Sequence, residues 1–141
     1  MIFSIITAIL VIKLTIFLHF MGLRTISRIV GRETFPASIR VISAIYLIAL
    51  VHLAEVFLFG AGYYVAENYL DAGSLTGEFG GDFREYIYYS LVSYTSLGLG
   101  DVYPQGPIRL LTGLEALTGL LMIGWSASFT YIYMSKFWKD L

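Results

Sequence analysis

The sequence contains no cysteine, and only 13% of its residues are charged. The lack of cysteine excludes disulfide bonds and thiolate metal sites. A soluble domain usually carries about 25% charged residues, so this chain has roughly half the usual share. A formal net charge of −1 gives no electrostatic footprint for nucleic acid. The chain has instead 57% hydrophobic residues, which favours an integral membrane protein over a soluble enzyme.

Three apolar segments are each long enough for a spanning helix, which needs about 20 mostly apolar residues. We place these spans at residues 1–23, 38–65 and 107–135. The first segment lacks a basic start and a clear small-x-small cleavage site, so it is interpreted as a helix and not as a signal peptide. Between the first two spans lies a basic linker, residues 24–37, and a short tail follows at residues 136–141.

Basic residues set the expected orientation, because cytoplasmic loops carry an excess of Lys and Arg. The linker and tail are rich in these residues, whereas the long segment between the second and third spans is acidic. We therefore expect a cytoplasmic C-terminus, an N-terminus outside, and the plasma (inner) membrane as the location. Arg24, Arg28 and Arg32 recur every fourth residue and are predicted to bind anionic lipid headgroups.

The segment between the second and third spans predicts a re-entrant loop. Residues 66–82 are acidic and rich in glycine, which indicates a solvated turret. Residues 83–95, FREYIYYSLVSYT, contain no Gly or Pro and are too few to cross a bilayer, so they predict a short buried helix. The stretch SLGLGD, residues 96–101, follows at once. The predicted fold is an all-α membrane protein with three transmembrane helices and one re-entrant helix per subunit.

Glycine alternates with bulkier residues in this stretch, in the order Ser96, Leu97, Gly98, Leu99 and Gly100. Because glycine adopts positive φ readily, the alternation allows successive carbonyl groups to point to one side. Irregular backbone at membrane depth survives only when it is buried in protein or faces a water-filled cavity. Rings of carbonyl oxygens from four copies would replace the water shell of a cation. One chain cannot close such a ring, so this function requires assembly.

The stretch YYSLVSYTSLGLGD, residues 88–101, resembles the pore helix and selectivity filter of the tetrameric potassium channel superfamily. Aligned on the glycines, Ser96 takes the place of the filter threonine, Leu97 of the valine and Leu99 of the tyrosine. The resemblance covers residues 38–135 as outer helix, turret, pore helix, filter and inner helix. The first span is an addition to this two-span plan.

The resemblance implies a homotetrameric cation channel that prefers potassium and is not an enzyme. K⁺ or Na⁺ would bind to the carbonyls of residues 96–100 and to the Ser96 hydroxyl, and no other cofactor is expected. Tyr88, Tyr89 and Asp101 would support the filter. Leu99 has no hydroxyl to hold the filter, so a non-selective monovalent cation channel remains an alternative. A non-conducting scaffold or regulatory subunit with this fold is another.

Ionisable residues inside the spans are costly and are therefore usually functional or paired. Lys13, His52, Glu55 and Glu115 fall in one layer of the outer half when depth is estimated from helix rise, and His19 falls outside it. We expect a buried network behind the filter, in which Lys13 offsets a carboxylate and Glu115 reaches the pore helix. The network is either structural or a pH-dependent gate. A metal site of His52, Glu55 and Glu115 is a further alternative.

The inner helix carries two candidate gating hinges, Gly119 and Gly124, because members of the superfamily often bend this helix at a glycine. A small-residue packing surface between helices is the alternative. Trp125 and Phe129 would form a hydrophobic constriction if they face the channel axis, and an aromatic belt if they face lipid.

Overall fold

A computed structural model describes residues 2–31 and 35–137. In chain order they form α1 (Ile2–Val30), α2 (Ala37–Asn68), β1 (Ser74–Gly77), α3 (Phe83–Tyr94), β2 (Val102–Gln105) and α4 (Ile108–Phe137). The helices α1, α2 and α4 are long and apolar enough to cross a membrane. The predicted fold class is confirmed, with three spanning helices and a short helix between the second and third.

The first helix is longer than predicted. It continues past Leu23 to Val30, so much of the linker predicted at residues 24–37 is helical. The reason is that Ile26 and Val30 extend the apolar face and pack, almost fully buried, against α2. Arg40 of α2 then donates a hydrogen bond of 2.6 Å from Nε to the carbonyl oxygen of Val30, which satisfies one of the free carbonyls at the end of α1.

The short helix α3 lies along the second half of α2. Its first residue, Phe83, places its ring 5.6 Å from the ring of Tyr64 near the end of α2. Its last residue, Tyr94, donates a hydrogen bond to Glu55 in the middle of α2. Twelve residues of helix extend only about 18 Å, well short of a bilayer. The helix therefore ends at mid-depth, and the chain has to return to the side from which it came.

A two-stranded hairpin closes this return. Strand β1 pairs antiparallel with β2, with Gly77 opposite Val102 and Ser74 opposite Gln105. The N–H of Glu78 also donates to the carbonyl of Asp101 at 2.9 Å. The segment predicted as an irregular turret, residues 66–82, thus contains one strand that fixes the end of the glycine-rich stretch.

Two apolar clusters form the core of the described residues. The larger one lies among the first half of α1, the second half of α2, α3, the hairpin and α4, and its largest buried side chains include Phe59, Tyr63 and Tyr94. The smaller one lies at the opposite end, where α1 and α2 meet Phe129 and Tyr133 of α4. The re-entrant segment is therefore held by the larger cluster.

Candidate functional site: the glycine turn and its supports

The glycine turn, residues 96–101, links α3 to β2. Its backbone alternates in hand: φ is 58° at Ser96, 58° at Gly98 and 84° at Gly100, and the two leucines between them do not have positive φ. This left-handed region is open to glycine and unfavourable for residues with a Cβ. Ser96 therefore adopts a strained conformation that its surroundings have to stabilise.

Backbone hydrogen bonds to the end of α3 hold the start of the turn. The N–H of Ser96 donates to the carbonyl of Ser93 at 2.9 Å, and the N–H of Leu97 donates to the carbonyl of Val92 at 3.0 Å. Carbonyls in the last turn of a helix have no partner within the helix, so these bonds satisfy them. The turn is thereby fixed in position relative to α3.

The side chains of the turn are largely uncovered in the single chain. Leu97 is 63% exposed and Leu99 is 60% exposed. A Cβ built on Gly98 or Gly100 would meet no atom within 4 Å. Glycine is therefore required at these two positions by backbone conformation and not by lack of space. A cavity of about 380 Å³ lies beside the turn, lined also by α3 and α4.

Asp101 closes the turn and is held by Tyr88. The Tyr88 hydroxyl donates a hydrogen bond of 2.5 Å to Oδ2 of Asp101. This hydrogen bond lowers the pKa of Asp101 below its ordinary value, because it favours the carboxylate form. The same bond raises the pKa of Tyr88. Asp101 is therefore ionised at neutral pH and is tied to α3.

Tyr89 faces away from Asp101. Its hydroxyl pairs with the Thr112 hydroxyl of α4 at 2.9 Å, and its ring packs edge-on at 5.0 Å against the ring of Tyr63. The structure thus places Tyr88 and Tyr89 on different sides of α3. The first contacts the end of the turn, and the second joins α3 to α2 and α4.

Glu115 of α4 lies against the middle of α3 and is fully buried. Its Oε1 accepts a hydrogen bond of 2.5 Å from Ser90, and its Oε2 accepts one of 2.5 Å from Tyr63. Ser90 also donates to the carbonyl of Val56 at 2.8 Å. We call Glu115, Ser90 and Tyr63 the outer network. It connects α2, α3 and α4 through hydroxyl donors.

Glu55 of α2 lies at the end of α3 and is also fully buried. It accepts a hydrogen bond from the Tyr94 hydroxyl. Two imidazoles contact the same carboxylate: Nδ1 of His19 lies 2.8 Å from Oε1, and Nδ1 of His52 lies 3.0 Å from Oε2. We call Glu55, His19, His52, Tyr94 and their neighbour Ser126 the inner network. It connects all four helices.

Sequence reasoning missed His19 as a member of this network. The predicted first span ended at residue 23, which placed His19 close to the inner membrane surface. Because α1 extends to Val30, His19 lies 11 residues before the end of the helix, whereas His52 lies 15 residues after Ala37, where α2 begins. The two histidines therefore meet between antiparallel helices. The apolar periodicity of residues 24–30 was the signal that could have placed His19 correctly.

Lys13 does not join either network. Its side chain is exposed on α1, and among the described residues no hydrogen bond or ion pair links it to a carboxylate. The expected pairing of Lys13 with a buried glutamate is therefore wrong for the single chain. Glu55 and Glu115 are also separate, because each binds a different part of α3.

Gly119 allows α4 to approach the end of α3 closely. A Cβ at this position would lie 2.0 Å from the carbonyl oxygen of Tyr94, so any side chain would collide with backbone. Gly124 has open space around it. The helix α4 is continuous through both residues. Gly119 thus has the packing role that was weighed against a hinge, and its role as a hinge stays a prediction.

The aromatic residues of α4 contact α1. The Trp125 ring lies 5.2 Å from the ring of His19. Phe129 packs against the smaller cluster, and Tyr133 next to it donates to the carbonyl of Ser27 at 3.0 Å. The expected constriction is not formed by Phe129 in the single chain, because this side chain is engaged with α1 and α2.

The arginines predicted to bind lipid lie at the end of α1. Arg24 and Arg28 are exposed on the last turns of the helix, and Arg32 lies outside the described residues. The tail beyond residue 137 lies outside them as well. Binding of anionic headgroups by the two exposed arginines stays a prediction.

The chain combines three spanning helices with a short helix that ends at mid-depth and a turn in which every second residue has positive φ. The family model described as ion channel matches residues 51–136, more than half of the chain. The chain belongs to the ion channel family. No curated protein matches this channel, and no solved structure matches it.

The matched segment contains the complete re-entrant part of the channel. It begins within α2 and includes α3, the glycine turn, the hairpin and nearly all of α4. The first helix, with His19, lies outside it. Membership in the family therefore accounts for the glycine turn and for the helices α2, α3 and α4 around it. It does not account for α1, which contributes His19 to the inner network.

Proposed function

We propose that the channel conducts monovalent cations passively, with a preference for potassium, as a homotetramer. The observation that carries this proposal is the alternating hand of the backbone at Ser96, Gly98 and Gly100. A backbone with this alternation can direct successive carbonyl oxygens to one side. Carbonyl oxygens arranged in rings replace the hydration shell of a dehydrated cation.

Assembly is part of the proposal because one chain supplies only one row of carbonyls. The exposed side chains of Leu97 and Leu99 support it, since two large apolar groups at membrane depth would pack against a second copy. The Ser96 hydroxyl would contribute to the innermost ion position. Tyr88 and Asp101 would hold the outer end, and Tyr89 would hold α3 against α4.

Charge around the turn supports cations as the conducted species. Asp101 is ionised at neutral pH, since its pKa is lowered by Tyr88. The outer segment carries further carboxylates, among them Glu78 and Asp82, and like charges at a pore mouth raise the local concentration of cations. The negative end of the α3 dipole points towards mid-depth, where it would stabilise a cation within the membrane.

The orientation follows from the basic residues at the end of α1. With Arg24 and Arg28 on the cytoplasmic side of the plasma (inner) membrane, the glycine turn and the hairpin would open to the outside. Anionic lipid headgroups would then be the partners of these two arginines.

A poorly selective cation channel is the second candidate, and Leu99 favours it. This residue provides no hydroxyl and is 60% exposed, so no side-chain hydrogen bond fixes the width of the turn at its centre. A filter whose walls move could admit Na⁺ as well as K⁺. The two candidates differ only in the selectivity of the same pore.

Ion flux from liposomes tests the proposal. The purified full-length chain would be reconstituted, and efflux would be compared under matched K⁺ and Na⁺ gradients. Faster K⁺ flux supports the proposal, equal flux supports the non-selective pore, and no flux supports a non-conducting scaffold. A Leu99→Tyr variant provides the matched comparison: if the missing hydroxyl limits selectivity, this variant raises the ratio of K⁺ to Na⁺ flux above that of the original chain.

A further inference from the structure

The inner network brings three ligand atoms of the metal-binding type together inside the membrane region. His19, His52 and Glu55 each offer one atom, and these atoms lie within 4.8 Å of one another. His19 and Glu55 are completely buried, whereas the side chain of His52 is 19% exposed. The cluster is therefore shielded on the α1 side and accessible at His52.

Ser126 orients both imidazole rings. Its Oγ lies 3.0 Å from Nε2 of His52 and 3.4 Å from Nε2 of His19. A serine oxygen has two lone pairs, so it can accept from both Nε2–H groups at once. In that tautomer the two Nδ1 atoms carry lone pairs that face the Glu55 carboxylate, which is the arrangement that a metal ion between them requires. Without an ion, the Nδ1 atoms can carry the protons and donate to Glu55.

We propose that His19, His52 and Glu55 bind a divalent transition metal ion of the zinc class. Two imidazole nitrogens and one carboxylate oxygen are ligands that Zn²⁺ accepts, and imidazole disfavours Mg²⁺ and Ca²⁺, which prefer oxygen ligands. A solvent oxygen would take the fourth position beside His52, whose side chain is 19% exposed. Ser126 is the outer partner that fixes the orientation of both rings.

The spacing of the ligand atoms fits this assignment after a small expansion. Tetrahedral Zn²⁺ with bonds of about 2.0–2.1 Å separates neighbouring ligand atoms by about 3.3–3.4 Å. The distance from Nδ1 of His19 to Oε1 of Glu55 is 2.8 Å, and the distance from Nδ1 of His52 to Oε2 is 3.0 Å. To admit the ion, the carboxylate would have to separate from each imidazole by a few tenths of an ångström. This set differs from the metal site expected from the sequence, because Glu115 is absent from it and His19 takes part in it.

The site joins α1 to the segment that matches the ion channel family. His19 is contributed by α1, outside the segment that matches the ion channel family, and Tyr94 is the last residue of α3. A bound ion would therefore fix α1 to α2 directly and, through the hydrogen bond from Tyr94 to Glu55, would also hold the end of α3, two residues before Ser96. Metal binding itself does not depend on conduction, so it can be measured on protein that is not conducting.

The test uses full-length protein purified without a histidine tag, in detergent and free of metal. The two histidines are the only imidazoles of the chain, and there is no cysteine, so imidazole ligation can come only from this cluster. Zn²⁺ affinity is measured by competition with a chromophoric chelator, and Co²⁺ is added as a spectroscopic probe. We expect one Zn²⁺ per chain and the visible absorption of four-coordinate Co²⁺.

Matched variants separate this site from adventitious binding. Loss of an outer partner typically costs about 10–100-fold in metal affinity, so Ser126→Ala should weaken Zn²⁺ binding by that factor. His19→Gln, His52→Gln and Glu55→Gln remove direct ligands and should cost more than about 100-fold. Glu115→Gln alters the other buried carboxylate and should bind as the original chain does.

Folding is checked by elution volume and helical circular dichroism, and Ser126→Ala provides a readout even if a histidine variant does not fold. Zn²⁺ should also raise the thermal unfolding midpoint of the original chain and of Glu115→Gln, but not that of His52→Gln. The proposal is overturned if Zn²⁺ does not bind saturably. It is equally overturned if Co²⁺ remains octahedral, or if His52→Gln and Ser126→Ala bind Zn²⁺ as tightly as Glu115→Gln.

Discussion

The outer and inner networks each place a buried glutamate against α3, and they differ in what surrounds the carboxylate. Glu115 accepts hydrogen bonds from two hydroxyl groups, those of Ser90 and Tyr63. Glu55 accepts one from Tyr94 and faces two imidazoles as well. Hydroxyl groups can hold a helix in position by hydrogen bonds, but they carry no charge. Imidazole nitrogens can bind a metal cation, so of the two networks only the inner one offers a cation site.

The largest expected effect comes from the glycine beside the inner network. Gly119→Ala should destabilise the protein by more than about 3 kcal/mol, because its Cβ would lie 2.0 Å from the Tyr94 carbonyl oxygen and backbone cannot move aside cheaply. Thermal unfolding in detergent measures the loss. Gly113→Ala is the control on the same helix, since a Cβ there meets nothing within 4 Å. Equal stability of the two variants would show that α3 and α4 are not in this contact.

The next largest effect is expected at the two buried carboxylates, whose glutamine variants are compared for stability in the presence of a chelator that removes metal ions. In the metal-free protein the two Nδ1 atoms can carry the protons and donate to Glu55, so Glu55→Gln should cost about 2–3 kcal/mol because these groups and the Tyr94 hydroxyl lose an ionised acceptor. Glu115→Gln should cost about 1 kcal/mol. Its amide oxygen can still accept from Ser90, and Tyr63 can turn its hydroxyl towards Thr112, 3.3 Å away.

Thermal unfolding of the two glutamine variants provides the measurement. A larger loss for Glu115→Gln than for Glu55→Gln would reverse the comparison. It would mean that the outer network, and not the inner one, is the main polar connection of α3.

A smaller effect is expected at the mouth of the turn, where the pKa of Asp101 is lowered by Tyr88. Tyr88→Phe removes this hydrogen bond, so the Asp101 pKa should rise towards its ordinary value. A carboxyl group with a lowered pKa stabilises the folded protein above its unfolded pKa, and this stabilisation is lost as the pH falls through the folded pKa. In Tyr88→Phe the Asp101 carboxylate is protonated, and its negative charge is lost, at a higher pH. The acid-side loss of cation flux should therefore begin at a higher pH in this variant.

Flux recorded while the pH is lowered from neutral towards 3 measures this shift. Tyr103→Phe is the matched control, because Tyr103 is an exposed tyrosine of the adjoining strand and its hydroxyl is not bonded to Asp101. Overlapping acid limbs for Tyr88→Phe and the original chain would contradict the role of Tyr88.

The smallest effect is expected at Lys13. Lys13→Gln should change the free energy of unfolding by no more than about 0.5 kcal/mol, because the side chain is exposed and is not paired with either glutamate. The same thermal unfolding assay applies. A loss similar to that of Glu55→Gln would restore Lys13 as the counter-charge of a buried carboxylate.

Much of the fold could be predicted from local sequence. Length and hydropathy located the three spans, and the absence of Gly and Pro predicted the short helix at residues 83–95, which ends at Tyr94. The alternation of glycines predicted left-handed backbone at Gly98 and Gly100. These features depend on residues close together in sequence.

The features that were missed depend on contacts between distant residues. Strand β1 has only four residues, and its pairing with β2 joins segments about 28 positions apart. The contact of His19 with Glu55 spans 36 positions and depends on where α1 ends. The packing role of Gly119 depends on the approach of Tyr94, which no periodicity in α4 reveals.

Potassium flux through Gly98→Ala, compared with Gly113→Ala, is the most direct test of the central claim. Gly98 has φ of 58° in the glycine turn, where a Cβ is unfavourable, whereas Gly113 lies within α4 with open space around it. Both variants would be reconstituted at equal protein content and verified to be folded. We predict that Gly98→Ala loses most of its K⁺ flux and that Gly113→Ala retains it. Normal flux through Gly98→Ala would contradict the assignment of the glycine turn as the ion pathway.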